Sequence, residues 1–361
     1  MSSQANEAIQ RLVQVYVNSR NRLLREFSRL LAQGQDTGRQ EQLLAVIAKE
    51  LRRLNNEAMK WTASEVKAAY LRGMQVVHFI GNGQPSVKTL SAFGGVHREA
   101  VKLLQHNAQN FLLLANNIIA RQAADTVRKI GVEITKKKFE ETLTMRETKK
   151  LLMDRLTSEG FYRVPWRNGK GSMRVDSYSE LVARTTTAEA TNTGTLNQMT
   201  ELGHNLVEMT AHHTTCKVCA PRQGRVYRLV DASEFPSGDP RQRFPHISEG
   251  LPRWPEYKTV HPNCMHRIVP YIWEQKTAEE NTQSVEGAKQ SFTKDPRSEA
   301  ERERYERGQK VNADRLRDRK EWEKYRYVLG QKNTPTFSGF RAMKRHNSTN
   351  YQELKKLFRS K

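Results

Sequence analysis

Through Gly203 this chain keeps its apolar residues at helical spacing, and beyond that point the rhythm stops. Ile9, Leu12, Tyr16, Leu23, Phe27 and Leu30 recur with Arg and Gln between them, which puts one apolar stripe on an amphipathic helix. LAQGQDTG breaks the stripe. A second stretch, from Glu41 to near Met74, carries Leu44, Ile47, Leu51 and Leu54, so residues 1–95 predict a long helical hairpin. After the connection IGNGQPSVKTLSAFGG the spacing of Val101, Leu104, Phe111, Leu114, Ile118 and Ala123 predicts a third helix over Arg98–Lys129. Two capping boxes, Thr144 with Glu147 and Ser177 with Glu180, predict two more helix starts; Gly160 and Gly203 are the matching stops. Residues 96–203 are thus expected to form a helical region.

The runs LVEMT, RVYRL and RIVPYI, β-branched or aromatic and separated by turn-rich segments, predict short strands in a small α+β module over residues 204–275. From Lys276 the composition shifts again. KTAEENTQSVEGAKQ has the make-up of a polar linker, and SEAERERYERGQKVNADRLRDRKEWEKYRYVLG that of a charged helix with few apolar anchors. The fold class expected is therefore α+β but mostly helical: long N-terminal helices, the small module, and a basic helical extension over 276–361, much of it solvated.

Charge narrows the partners. Sixty-one Lys and Arg against 39 Asp and Glu leave a formal +22, which repels itself and attracts a polyanion. The final stretch from Lys332 is the most one-sided part. Lys332, Arg341, Lys344, Arg345, Lys355, Lys356 and Arg359 stand against the single acid Glu353, and these cations are the candidate nucleic-acid contacts. No secretory leader opens the chain and no apolar run is long enough for a membrane span, since FLLLANNIIA is broken by Asn116 and Asn117; no membrane partner is expected. Gly81-Asn82-Gly83 has neither the strand before it nor the Lys-Ser/Thr after it that a phosphate loop needs.

The three cysteines fall inside the small module. Cys216 and Cys219 have the two-residue gap that lets two thiolates of one turn face one ion, and Cys264 lies between His261 and His266 in HPNCMH. Cys216, Cys219, Cys264 and one of His261 or His266 would complete a tetrahedral zinc site, closing a loop rich in Pro, Gly and Arg; three buried thiols without metal is the plainer reading. Spacing removes sharper possibilities. A DNA-reading finger wants about twelve residues between its pairs and the gap here is about forty. Thr215 stands where a zinc deaminase needs Pro directly before its C-x-x-C, and H-E-x-x-H is absent. The C-x-x-C leads into a strand instead of opening a helix, against redox use. A Cys264 nucleophile with His212 or His213 is a weaker option, because a zinc-bound thiolate does not attack. A metal-dependent nuclease using His212, His213, His261 and His266 is the main enzymatic alternative, although no helix bearing Asn and His stands behind the cluster. His246 has no role beyond its loop.

The order of these motifs resembles the minor capsid or head-morphogenesis proteins of tailed bacteriophages, the family related to the Mu F protein. The likeness is carried by Arg184 and Glu189 in VARTTTAEATNTG, then Cys216, Cys219, Gly224 and Tyr227, then His261, Pro262, Cys264 and His266; it covers residues 100–275, and NTPTFSGF resembles the C-terminal extension of phage minor capsid proteins from Gram-positive hosts. The resemblance implies a non-enzymatic, low-copy head protein. It would be made in the host cytoplasm, be found in the virion at the head interior or portal vertex, and associate with the portal, major capsid or scaffold protein. It would also lie near packaged double-stranded DNA, with a role in assembly, packaging or ejection. Some relatives carry a C-terminal enzyme domain, and the polar tail from Lys276 is too poor in apolar residues to be one.

Overall fold

The computed structural model describes residues 3–32, 37–82, 94–141, 144, 147, 150, 154, 162–165, 171–212 and 215–360. His213 lies outside the described residues, as does most of the stretch expected to be helical after Thr144. That capping box itself is present: Glu147 Oε2 accepts from the Thr144 N–H at 2.7 Å, and Thr144 Oγ1 accepts from the Glu147 N–H at 3.3 Å.

Long helices dominate. α1 spans Ser3–Ala32, α2 Thr37–Asn82, α3 Gly95–Glu141 and α4 Val175–Glu201. α2 and α3 both outrun their apolar stripes, because Lys, Glu, Gln and Ala are good helix formers even where no face needs burying. α4 opens differently from expectation. Strand β2 (Ser172–Arg174) runs straight into Val175, so the helix starts ahead of the Ser177 box, and Glu180 pairs instead with Arg184 at 2.8 Å. Its end is as expected. Gly203 takes φ +69, its N–H donates to Thr200 O, and His204 N–H donates to Met199 O, the doubled bonding of a Schellman cap.

Two compact units emerge, each stitched from three stretches: residues 1–15, 55–114 and 176–305 form the first, and residues 16–54, 115–175 and 306–361 the second. In the first, Trp61 Nε1–H donates to Ala8 O at 3.0 Å, tying α1 to α2. Val66, Ala69, Tyr70 and Met74 of α2 share a core with Val101 of α3 and Ala190 of α4. The small sheet stands in the same unit, in the order β4 (Val226–Arg228), β3 (Leu206–Met209), β5 (Ile268–Pro270), antiparallel throughout. Its alternation divides two cores. Val207, Met209, Tyr227 and Ile268 face one cluster with Leu196, Met199, Cys219 and Cys264, while Leu206 and Val226 face another with Phe244, Tyr271 and Val285. Val285 belongs to α5 (Ala278–Ala288), a helix formed by the stretch expected to be a linker. Its start is fixed by Thr277 and Glu280 as a full capping box, and Val285 docks it together with Asn281 and Ser284, which both bond the Tyr271 hydroxyl.

In the second unit Arg22 grips Glu50 through two hydrogen bonds of 3.0 and 2.7 Å, joining α1 to α2. Burial opposes ionisation of Glu50, but the hydrogen bonds and charge of Arg22 outweigh it and hold the carboxyl below its ordinary range. The hairpin β1 (Arg163–Pro165) with β2 is held to α3 by Gln122, which bonds both the carbonyl and the N–H of Arg163. The C-terminal extension has a core of its own, contrary to the expectation of a largely solvated tail. α6 (Glu299–Leu329), α7 (Phe337–Arg345) and α8 (Thr349–Arg359) bury Trp322, Tyr325, Val328, Leu329, Phe340, Tyr351 and Leu354 together. The aromatic residues supply the area that the few aliphatic ones could not.

Candidate metal centre of the Cys/His module

Two tight turns bring the cysteines together. In the first, the N–H groups of Cys219 and Ala220 both donate to Cys216 O, which folds the two-residue gap into a knuckle; Gly224 at φ +67 then returns the chain to β4, its N–H on Met209 O. In the second, Cys264 N–H donates to His261 O, with Asn263 at φ +63 turning the chain in a conformation that Asn tolerates.

Cys219 sits at the junction of two triads, Cys216–Cys219–His261 and Cys219–Cys264–His266, and the donor atoms within each lie inside 4.8 Å of one another. His261 Nε2 is 3.2 Å from Cys216 Sγ and 3.1 Å from Cys219 Sγ; Cys219 Sγ is 3.9 Å from Cys264 Sγ, and Cys264 Sγ is 3.5 Å from His266 Nδ1. Around tetrahedral zinc, with bonds near 2.3 Å to sulfur and 2.0 Å to nitrogen, sulfurs stand about 3.8 Å apart and sulfur and nitrogen about 3.5 Å. The distances match those edges to within a few tenths of an ångström. Cys219 and Cys264 are buried, as is His266, while Cys216 and His261 are half-buried at the rim.

Each imidazole turns one ring nitrogen toward sulfur. His261 Nδ1–H donates to Pro262 O at 2.8 Å, which leaves Nε2 toward the thiols; His266 Nε2–H donates to Gln223 Oε1 at 3.1 Å, which leaves Nδ1 toward Cys264. Gln223 Oε1 also accepts from the His212 N–H at 3.2 Å, and the His212 ring lies against His266 with centroids 4.1 Å apart. Electrostatics follow from crowding. The hydrogen bond with Cys219 draws the Cys216 thiol down to about 3, helped by His261, and Cys264 falls to about 3 for the same first reason. Cys219, between two thiolates, is pushed up, and the hydrogen bond to Cys216 raises His261 to about 9. Cys219, with a thiolate neighbour on either side, can ionise alongside them only if a cation joins them.

Helix α4 holds the second turn. Thr185, Glu189 and Asn192 share one face: Thr185 Oγ1 accepts from the Asn263 N–H at 2.9 Å, Glu189 accepts from the Lys258 N–H at 2.6 Å and from the Thr259 hydroxyl, and Asn192 bridges Lys258 O and the Ile268 N–H. Burial raises Glu189 above the ordinary carboxylate range despite those hydrogen bonds. Arg184, named with Glu189 from the sequence, turns along its own helix to Glu180 and takes no part in this grip. The first turn is backed from the other side. Arg297 donates to Thr215 O at 2.9 Å while held by Asp295, and Phe292 stacks on Tyr227 beneath the guanidinium of Arg225. His246 only caps the helical turn Ile247–Gly250.

The model of the phage minor capsid protein 2 family matches residues 2–333. The chain belongs to that family. It is also 32% identical over 103 residues to a structural protein of Lactococcus phage LL-H, a match covering 27% of this chain and 25% of that protein, so the chain spans about a quarter of the length of the relative it matches. No solved structure matches. Membership makes this a structural protein of the phage particle. Among the described residues no helix is long and apolar enough to cross a membrane.

The seven cations named from the C-terminal sequence separate into two sets. Arg341 and Lys344 are engaged, Arg341 with Asp318 at 3.1 Å and Lys344 with Asp318 and Glu321 at 2.9 and 2.5 Å. Lys332, Arg345, Lys356 and Arg359 are exposed, and Lys355 lies over the Tyr351 ring at 5.6 Å.

Proposed function

We propose that this protein is a non-enzymatic component of the phage head that works at the portal vertex or inner shell during assembly. Its Cys/His module is held by one zinc ion, and its basic C-terminal helices rest non-specifically on packaged double-stranded DNA. Family membership supports the head role. The observation that carries the zinc reading is that two triads of metal-ligating atoms, Cys216–Cys219–His261 and Cys219–Cys264–His266, meet at Cys219, each imidazole already oriented by an outer hydrogen bond. Cys216, Cys219, Cys264 and His261 would fill a four-coordinate site, with His266 as the competing nitrogen ligand. An ion there would supply crosslinking, drawing together segments that the sheet alone joins by a few hydrogen bonds. The net charge of +22 supports contact with DNA or with an acidic portal surface.

The alternative, a metal-dependent nuclease on the same histidines, needs a coordination position open to water, and three thiolates with one imidazole leave none on tetrahedral zinc. Metal analysis beside a DNA-cleavage assay separates the two. One zinc per chain, no cleavage, and a destabilised Cys216→Ser variant are the expected results. Metal-dependent cleavage that disappears in a folded His261→Ala variant would overturn the reading. The particle role is tested by quantifying the protein in purified virions and in procapsids lacking portal, where retention should fall.

A further inference from the structure

The aromatic core of the C-terminal extension positions its last two helices in a particular way. α7 and α8 are joined by three residues, His346, Asn347 and Ser348; Asn347 takes φ +46 to make the turn, and Ser348 caps α8 by accepting from the Tyr351 N–H. Phe340 of α7 meets Tyr351 of α8 edge to face at 5.8 Å, and Tyr325 of α6 stacks on Phe358 at 4.4 Å. Two short helices about a tight turn, packed on the end of a third, make a helix-turn-helix layout, the second helix presenting its outer face. The pair lies almost wholly beyond the family match, which stops at residue 333.

Charge on this unit is sorted by direction. Arg341 and Lys344 point back to Asp318 and Glu321 of α6, and these pairs lock α7 onto its neighbour. Lys332, Arg345, Lys355, Lys356 and Arg359 make no ion pair among the described residues, and Glu353 is the only acid on either short helix. On α8 the buried side is Tyr351 and Leu354, with Phe358 partly buried beside them; Lys356 and Arg359 are exposed, and Lys355 stands at the edge.

We propose that the outer face of α8, with the exposed Arg345 and Lys332 of the preceding segment adding to its charge, is a docking surface for the backbone of duplex DNA, and that Arg341 and Lys344 are its internal braces, not contacts. This rests on the DNA contact of the functional reading above and assigns it to one surface. Phosphate is the chemistry favoured. A base-reading helix carries its contacts in its N-terminal half, whereas here that half exposes Thr349, Asn350 and Glu353 and the cations come later. Binding is therefore tolerant of sequence and steeply dependent on salt.

The test uses the full chain, two unrelated duplexes of equal length, and a salt titration. Removing one phosphate-neutralising cation makes the slope of log affinity against log salt shallower by about 0.9, so Lys355→Gln/Lys356→Gln/Arg359→Gln should flatten it by roughly 3 and weaken binding more than tenfold on both duplexes. Arg341→Gln/Lys344→Gln should lower the melting temperature and leave the slope as it was. A triple variant that binds like the unaltered chain would overturn this surface while leaving DNA contact elsewhere intact. Absence of duplex binding by the unaltered chain would overturn both. A strong preference for one duplex, or binding of polyglutamate in place of DNA, would overturn the phosphate assignment and make the face a reader of bases or a dock for an acidic protein.

Discussion

Gly73 of α2 and Gly194 of α4 bring their two helices backbone to backbone. A Cβ on Gly194 would stand 2.2 Å from the Tyr70 carbonyl oxygen, and one on Gly73 would stand 1.9 Å from that of Thr191. The contact is so close that the Thr195 hydroxyl donates to Gly73 O at 3.1 Å. Neither obstacle is a flexible side chain, so an added methyl must push the helices apart. Gly194→Ala is expected to cost about 3 kcal/mol, at the upper end for overpacking. Gly308→Ala, in an α6 turn where a Cβ meets nothing within 4 Å, should stabilise by about 1 kcal/mol. Thermal unfolding of the two variants checks the opposite signs.

Removing metal should expose the thiols. With zinc bound, the three cysteines are expected to resist a thiol-specific chromogenic reagent, and chelation should release them together with a drop in melting temperature. Thiols that react equally fast with and without chelator would count against the staple.

Gln223 is expected to matter beyond its size. Its one oxygen holds both His266 Nε2 and the His212 N–H, so Gln223→Ala removes one acceptor from each. If His266 displaces His261 as the nitrogen ligand, the variant should lose about 10- to 100-fold in zinc affinity, measured by chelator competition. An unchanged affinity would mean that His266 lies outside the ligand set and that its orientation is irrelevant.

Glu189 gives the pH dependence a definite sign. Burial raises its folded-state value above that of the unfolded chain, so the stability it contributes is fully present below the ordinary carboxylate range and is lost as pH rises through the raised value. Glu189→Gln keeps an acceptor for the Lys258 N–H and removes the buried charge. Relative to the unaltered chain, the variant should gain stability as pH rises above the ordinary carboxylate range, read by urea unfolding. A relative loss over that range would reverse the assignment. Glu189→Ala should be worse than either, by about 2 kcal/mol, because the loop N–H loses its acceptor.

What the sequence reveals and what it hides divide along the length scale of the interaction. Helix stripes, the Gly203 cap, the three module strands and the grouping of Cys216, Cys219 and Cys264 with histidines depend on near neighbours or on residue chemistry, and all are legible. The α4 face of Thr185, Glu189 and Asn192 is not, because its partners lie 66 to 78 residues away and each residue alone is an ordinary polar helix position. Gln223 is hidden for the same reason: nothing in RQGRVY marks a glutamine that orients two histidines. α5 is obscured by composition, since the helix is docked by Val285 and by polar side chains, Asn281 and Ser284 on the Tyr271 hydroxyl, that read as linker residues. The C-terminal core is obscured by charge, because Trp322, Tyr325, Phe340 and Tyr351 are spread through a strongly basic stretch and meet only after the chain turns at Asn347.

The interleaving of the two compact units bears on how such a gene can change. Any break between Tyr16 and Tyr305 divides both units at once, since each draws on stretches from either side of it. Phage genomes that exchange segments by recombination would therefore inherit the Cys/His module as a working piece only with the surrounding coding sequence entire, whereas a break within the last helices divides the second unit alone.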